Sequence, residues 1–180
     1  MNTHRPSNHK QLINNIAALH ISTRTANAPV ISTALSTGQI RALWRALDQV
    51  PDDLVRAVLK VAFWTCVPFE QLLAEKRGDF NSSTLVLTLR QPNGEAIEWQ
   101  LDYAAIFMFP FQDCPDEDLP IFSVMREINW EILPCAPSAA TIHQALNQVG
   151  IEAGIPDLNE QLLRQAGAYV TTVLAMLPSE

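Results

Sequence analysis

Arginine and lysine side chains are the residues of this sequence best suited to a particular chemistry, the binding of phosphate. A guanidinium presents a planar fork of N–H donors that matches phosphate oxygens, and it stays charged at physiological pH. The candidates for such contacts are Arg41, Arg45, Lys76, Arg77, Arg90 and Arg164. Arg41 and Arg45, together with Arg56 and Lys60, recur at one-turn spacing on adjacent predicted helices. That spacing fits either a basic stripe or an ordinary solvated helix face.

Other chemistries have weak support. No two of the four histidines have the spacing of zinc ligands, and the sequence contains neither a G-x-S-x-G motif nor a phosphate-binding loop. Cys66, Cys114 and Cys135 lack C-x-x-C spacing and lie in or beside apolar stretches, which is typical of buried free thiols. We therefore expect no metal and no cofactor.

The charge balance is acidic, with a net charge of −7 and a pI near 5.0. Domains that bind nucleic acid usually carry a basic surplus, so this balance works against a simple DNA-binding interpretation. The charges are uneven, however. Acidic residues cluster at positions 113–118, whereas seven of the cations lie between Arg41 and Arg90. A local basic face would still attract a polyanion, because local potential steers binding.

Size and hydrophobicity indicate one globular domain. The 180 residues are 48% hydrophobic and 17% charged, which is enough apolar surface to form a core. No apolar run reaches the 18 or so residues of a membrane span, and the N-terminal residues lack the apolar core of a signal peptide. We expect a cytoplasmic protein.

The apolar spacing divides the chain into a polar leader, residues 1–35, with one short helix, and a single domain, residues 36–180. Ser36 or Thr37 is predicted to cap a first helix. Pro51 is predicted in the first turn of a second helix that Pro68 closes, and a short third helix should run from Phe69 to about Glu75.

Residues 84–102 show the alternation of a β-hairpin, turning at the Pro92–Glu95 segment. The stretch 103–111 reads as a short buried helix, and 121–133 is ambiguous between helix and irregular structure. Ser138 should cap a helix that stops near Gly150 or Gly154, and a last helix is predicted over about Leu158 to Leu177. The predicted class is mainly α with a small antiparallel hairpin, an α+β fold.

The stretch 65–80 reads Thr-Cys-Val-Pro-Phe-Glu-Gln-Leu-Leu-Ala-Glu-Lys-Arg-Gly-Asp-Phe. It fits the pattern T-G-L-R-x-S-E-L-x-x-L-x-x-x-D-[IF] without a gap, with Thr65, Asp79 and Phe80 in place. Through this motif, the hairpin and a late Leu-Leu-Arg helix, residues 36–177 resemble the catalytic domain of tyrosine recombinases and phage integrases. The resemblance implies a recombinase-like fold.

The resemblance also implies that most phosphate-binding groups of that family are missing. Pro68 stands where the family places an arginine on the scissile phosphate, and Gln161 stands where its H-x-L-R motif begins with histidine. Arg164 retains the arginine of that second motif, which fits either a contact with a DNA phosphate or an ion pair with Glu160 or Glu152. Arg90 is the residue nearest to the place of the family's hairpin lysine.

The nucleophile is missing as well. Tyr103 and Tyr169 are the two tyrosines, and neither lies in the context of the family's nucleophile, which has no counterpart before Glu180. Strand cleavage needs an in-line hydroxyl, paired arginines and a proton donor. We expect a protein that is not an enzyme.

Two hypotheses follow for function. The first is a catalytically inactive recombinase-like protein of a mobile genetic element, such as a plasmid or phage. It would bind duplex DNA as a transcriptional regulator or recombination accessory factor. The second is a protein–protein interaction module that kept the fold but not DNA binding, in line with the acidic charge. Members of the family exchange a C-terminal helix, so the apolar end Val170 to Leu177 also suggests a homo-oligomer.

Overall fold

The computed structural model describes residues 35–81, 83–90, 96–100, 116–128 and 130–175. These residues form five α-helices and two antiparallel sheets, which confirms the α+β class. The helices are α1 (Thr37–Asp48), α2 (Asp53–Thr65), α3 (Phe69–Ala74), α4 (Ala139–Glu152) and α5 (Glu160–Ala175). The expected leader helix and the expected helix over 103–111 lie outside the described residues.

Helix α1 begins where its cap predicts. The Ser36 hydroxyl accepts a hydrogen bond from the Gln39 amide at 3.3 Å, and the Gln39 side chain accepts one from the Ser36 amide at 3.0 Å. This reciprocal capping box satisfies two amides that the helix itself leaves unpaired. Ile40, Leu43 and Leu47 form the buried face.

Helix α2 is capped by Asp52, whose carboxylate accepts from the amides of Leu54 and Val55 at 2.9 and 3.0 Å. Pro51 therefore precedes the cap and does not lie in the first turn as expected. The helix also ends earlier than expected, at Thr65. Cys66 adopts a left-handed conformation that turns the chain before Pro68 can act, and Pro68 instead precedes α3.

The first sheet contains β1 (Phe80–Asn81), β2 (Val86–Arg90) and β3 (Ala96–Gln100) in that order. Strands β2 and β3 form the hairpin expected over 84–102, with narrower bounds and with Leu87 opposite Trp99. Leu87 and Leu89 are buried, whereas Ile97 is exposed although the alternation predicted a buried side chain. Strand β3 is at the edge of the sheet, where fewer neighbours cover its side chains. The expected turn lies outside the described residues.

The second sheet is a hairpin of β4 (Val124–Ile128) and β5 (Glu131–Cys135). Its register places Val124 opposite Cys135 and Ile128 opposite Glu131. The sequence left this region ambiguous between helix and irregular structure, so a strand pair is a correction. Pro134 made a strand hard to predict here, because proline has no N–H to donate. A strand with one unpaired side nevertheless tolerates such a residue.

Helix α4 begins at the Ser138 cap, whose hydroxyl accepts from the Thr141 amide at 3.1 Å. It ends in a Schellman motif, in which the Ile155 amide donates to the Gly150 carbonyl at 2.7 Å and the Gly154 amide donates to the Ile151 carbonyl at 3.2 Å. Gly154 has a φ of +69° and supplies the left-handed residue that this motif needs. Helix α5 then begins at Glu160, two residues later than predicted.

The core lies among α1, α2, α4 and α5. Helices α2 and α5 come closest at Gly167, where an added Cβ would lie 1.6 Å from the Phe63 carbonyl oxygen. Leu163, Ala166 and Val170 bury the same face of α5. This crossing brings residues 66–69, which follow α2, against residues 160–164 at the start of α5, although the two segments are more than 90 residues apart in sequence.

Candidate functional site

The loop after α2 and the first turns of α5 form the candidate site. We call it the motif junction, made of Cys66, Val67, Pro68, Gln161 and Arg164. The Arg164 Nε donates to the Cys66 carbonyl oxygen at 2.6 Å. On the other side of the loop, the amide of Phe69 donates to the Glu160 carboxylate at 3.0 Å. Helix α5 therefore holds the loop at both ends.

The backbone of the loop explains one residue of the motif. Cys66 has φ 59° and ψ 21°, a left-handed conformation that glycine adopts without the steric cost of a Cβ. The recombinase pattern has glycine at this position. Burial raises the pKa of the Cys66 thiol, with the Arg164 charge opposing, so the thiol stays protonated near neutral pH.

Arg164 is half-buried and fixed through one of its five N–H donors. Its terminal Nη groups have no partner among the described residues. The sequence left open an ion pair with Glu160 or Glu152, but these carboxylates accept from the Phe69 amide and the Gln148 side chain instead. A guanidinium held through Nε can bind an anion through its Nη groups at little cost in side-chain entropy.

Pro68 and Gln161 contribute no charge to the motif junction. Pro68 is half-buried at the N-terminal cap of α3 and has no N–H to donate. Gln161 is exposed in the first turn of α5. The junction therefore offers one cation where the recombinase family has several phosphate-binding groups.

Three of the other candidate cations are engaged within the chain. Lys76 forms an ion pair with Asp118 at 2.7 Å, and Arg90 forms one with Asp79 at 3.0 Å. Arg77 is buried, 9% exposed, and its Nη2 donates to the Ser123 carbonyl at 2.8 Å. That placement gives Arg77 a structural role within the chain.

The four cations of the expected basic stripe have different surroundings. Arg56 pairs with Asp53 and also donates to the Val50 carbonyl at 2.6 Å. Lys60 pairs with Asp48 and lies 4.9 Å from the centre of the Trp44 ring. Arg41 is half-buried. In the part of the chain that the structure describes, Arg45 is exposed and has no partner, so it is the stripe's most available cation.

Sequence reasoning missed one ionisable side chain, Glu75, which is only 4% exposed. Its carboxylate accepts from the Arg90 amide at 3.2 Å and is hydrogen-bonded to the Asp79 side chain. Burial raises the pKa of Glu75, Asp79 adds to the shift, and the Arg90 amide and charge oppose it. No local pattern in the sequence marks Glu75 as buried, because its partners Arg90 and Asp79 come from other elements.

Over the described ranges, no helix is long and apolar enough to cross a membrane, and no three His, Cys, Asp or Glu side chains are grouped as metal ligands would be. Comparisons with models of protein families, with curated proteins and with solved structures gave no match.

Proposed function

We propose that this chain is a catalytically inactive, tyrosine-recombinase-like protein of a mobile genetic element. In this proposal it acts in the cytoplasm as a DNA-binding regulator, either of transcription or as an accessory to recombination. One observation carries the proposal: Arg164 lies against the loop in which Pro68 replaces the family's phosphate-binding arginine. In this proposal the protein binds DNA and does not cleave it.

The convergence of the two motifs supports this proposal. In a recombinase, both arginines must reach one phosphate, so their loops have to meet. Here Cys66 and Arg164 are 98 residues apart in sequence and share a hydrogen bond. The left-handed backbone at the motif's glycine position is a second, independent point of agreement.

The residues around the junction argue against cleavage. Tyr169 is half-buried on α5 and packs against the core, so its hydroxyl is poorly placed as a nucleophile. Tyr103 lies outside the described residues. Loss of one electrostatic contact to a transition state typically costs about a hundredfold to a thousandfold in rate, and here several are lost together.

Few cations remain available for DNA, which sets the expected strength of binding. Among the described residues, Arg45 is exposed without a partner and Arg164 is held only through Nε, whereas Lys76 and Arg90 are ion-paired and Arg77 is buried. The chain as a whole has a net charge of −7. Each neutralised phosphate contributes roughly −0.9 to the slope of log affinity against log salt. We therefore expect weak binding with a shallow slope, of about −1 to −3.

The test is binding of a labelled duplex, followed by fluorescence anisotropy as salt is raised from about 50 to about 200 mM. Arg45→Ala and Arg164→Ala should each weaken binding and reduce the slope by about one. Arg126→Ala is the matched control, since Arg126 is an exposed cation on β4 and is not one of the residues of the motif junction. Urea unfolding of Arg164→Ala separates lost binding from lost folding.

A second candidate function, a protein-interaction module, is favoured by the same ion pairs. Lys60, Lys76 and Arg90 are each occupied by an acid of the chain, which lowers the local positive potential. No retention of duplex at about 50 mM salt would reject the DNA-binding proposal and leave this candidate.

A further inference from the structure

Two carboxyl groups lie together at a joint between several elements. Glu75, directly after α3, is 4% exposed, and the side chain of Asp79 is 10% exposed. The two side chains are hydrogen-bonded to each other. Such a bond needs a proton on one of the groups, since an ionised carboxylate can only accept. The contact between Glu75 and Asp79 therefore depends on pH.

The charged groups around this pair come from three parts of the chain. Asp79 lies in the turn before β1, and Arg90 lies at the end of β2. The Arg90 guanidinium pairs with Asp79 at 3.0 Å, and its amide donates to Glu75 at 3.2 Å. Lys76 follows Glu75 in sequence, but its ammonium pairs with Asp118 at 2.7 Å. Among the described residues, one guanidinium thus faces two carboxyl groups.

The side chain of Asp79 also fixes the turn in which it lies. Its Oδ2 atom accepts a hydrogen bond from the Lys76 amide at 3.0 Å. Its Oδ1 atom accepts from the Arg90 guanidinium. One oxygen therefore holds the conformation of residues 76–79, while the other joins them to β2.

Residues 117–123 are attached to the backbone of the same turn. Three hydrogen bonds of 2.9, 3.0 and 2.9 Å make this attachment, donated by the amides of Arg77 to Leu119, of Gly78 to Glu117 and of Ile121 to Glu75. These bonds form only while the amides of the turn keep their direction. Residues 117–123 continue into β4, so the attachment also positions the first strand of that hairpin.

We propose that the Glu75–Asp79 pair is a pH-sensitive latch for residues 117–123 and the β4–β5 hairpin. With its proton, Glu75 donates to Asp79, and the turn holds the segment. Without the proton, two negative charges of low exposure face each other across one guanidinium, and Asp79 moves away from the Lys76 amide. The turn then loses this hydrogen bond, and residues 117–123 separate from it while the helical core stays folded.

The direction of the pH effect follows from the surroundings of Glu75. Burial raises its pKa and Asp79 adds to the shift, while the Arg90 amide and charge oppose it. A group that binds its proton more tightly in the folded state stabilises that state at low pH. The stabilisation is lost as pH rises through the folded pKa. The latch is therefore closed at about pH 4 and weakens as pH rises above it.

Hydrogen exchange of the full-length chain tests the latch. NMR at a series of pH values between about 4 and about 8 gives protection factors, which remove the intrinsic pH dependence of exchange. The amides of Arg77, Gly78 and Ile121 should lose protection as Glu75 ionises, by up to about tenfold for each unit by which the pKa is raised. Amides in α2 and α5 should keep their protection.

Glu75→Gln keeps an acceptor for the Arg90 amide and a donor for Asp79 without titrating. Its protection in the turn should match that of the native chain at low pH at every pH. Glu70→Gln, which removes an exposed carboxyl group on α3, is the matched control and should behave like the native chain.

Three results would overturn the latch. They are protection in the native turn that does not change with pH, an equal pH dependence in Glu75→Gln, and a parallel loss of protection in α2 and α5. If Glu75→Gln does not fold, the native chain still decides. The pH at which protection is lost must then coincide with the titration of the Glu75 carboxyl carbon, and a mismatch rejects the proposal.

Discussion

Gly167 lies at the crossing of α2 and α5 and has no room for a side chain. A Cβ there would come within 1.6 Å of the Phe63 carbonyl oxygen, a backbone atom that can move only if the helix moves. Glycine is therefore required at this position because the two helix backbones approach closely. Its own backbone is helical, so conformational freedom is not the reason. Sequence periodicity could not identify it, because a glycine within a helix looks like a defect until the neighbouring helix is known.

Gly167→Ala should lower the free energy of unfolding by about 3 kcal/mol or more, because α2 and α5 must separate to admit a methyl group. Gly38→Ala is the matched control. It lies in the first turn of α1 with its nearest neighbour, the Ser36 hydroxyl, 3.9 Å away. We expect Gly38→Ala to stabilise the chain by about 0.5–1 kcal/mol. Urea unfolding measures both, and equal effects would contradict the packing argument.

Cys66 is the opposite case, a residue with a Cβ in a conformation suited to glycine. Cys66→Gly should remove about 1 kcal/mol of backbone strain and leave the chain equally or more stable. Cys135→Gly, on strand β5, should destabilise the chain by about 0.5–1 kcal/mol. Thermal and urea unfolding measure the stability of both variants. The two changes in stability should have opposite signs. A large loss at position 66 would assign the thiol a packing role.

At the scale of elements, Glu75 joins the end of α3 to β2. Its side chain accepts from the Arg90 amide, and its carbonyl accepts from the Ile121 amide at 2.9 Å, which also attaches the segment before β4. A carboxylic acid can donate to Asp79 only while it holds its proton. Burial disfavours the charged carboxylate and the neighbouring Asp79 adds to that effect, so the folded state is more stable when Glu75 is protonated, although the Arg90 amide prefers the charged form.

The stability of this joint should depend on pH. The pKa of Glu75 is raised in the folded state, so its stabilising contribution is complete below the unfolded pKa of about 4 and is lost as pH rises through the folded pKa. Glu75→Gln keeps an acceptor for Arg90 and a donor for Asp79 without titrating. Its urea midpoint should exceed that of the native chain near neutral pH and converge with it near pH 4. Glu98→Gln, exposed on β3, should show no such convergence.

Elements whose ends are encoded by nearby residues could be predicted from the sequence. Elements that depend on tertiary contacts could not. The caps at Ser36 and Ser138 and the Gly154 turn are encoded within a few residues, so these helix ends were expected. The β4–β5 hairpin carries no apolar alternation and contains Pro134, so its pairing depends on partners that periodicity does not reveal. The shorter α2 depended on the conformation of a single residue, Cys66.

At the scale of the whole molecule, the helices hold the core and the second hairpin lies at its surface. Helices α2 and α5 bury most of their inner side chains, whereas β4 is half-buried or exposed along its length. The motif junction lies between two of these core helices, and the sequence alone did not predict that its two segments meet, because they are far apart along the chain. The ion pairs of Lys60, Lys76 and Arg90 were not predicted, because each depends on tertiary structure.

Hydrogen exchange should divide the chain accordingly. Amides in α2 and α5 should exchange only through global unfolding, whereas those in β4 and β5 should exchange much faster through local opening. Mass spectrometry or NMR under native conditions measures the difference. Equal protection in the hairpin and the helices would mean that the hairpin opens only when the core does.

The recombinase resemblance also led us to expect a homo-oligomer through the C-terminal helix. Val170 is buried within its own chain, so the surface for helix exchange is limited to residues after it. Light scattering should then find a species of twice the 20.0 kDa monomer mass in the micromolar range. A monomer at every concentration would contradict the expected homo-oligomer.

The crossing at Gly167 also fixes the position of Arg164 relative to Cys66. Arg164 lies one helical turn before Gly167, and Cys66 lies three residues after Phe63, so a single pivot sets both partners of the 2.6 Å hydrogen bond. A substitution that tilts either helix also shifts the guanidinium from its carbonyl. The stability of the fold and the position of Arg164 should therefore change together when this crossing is altered.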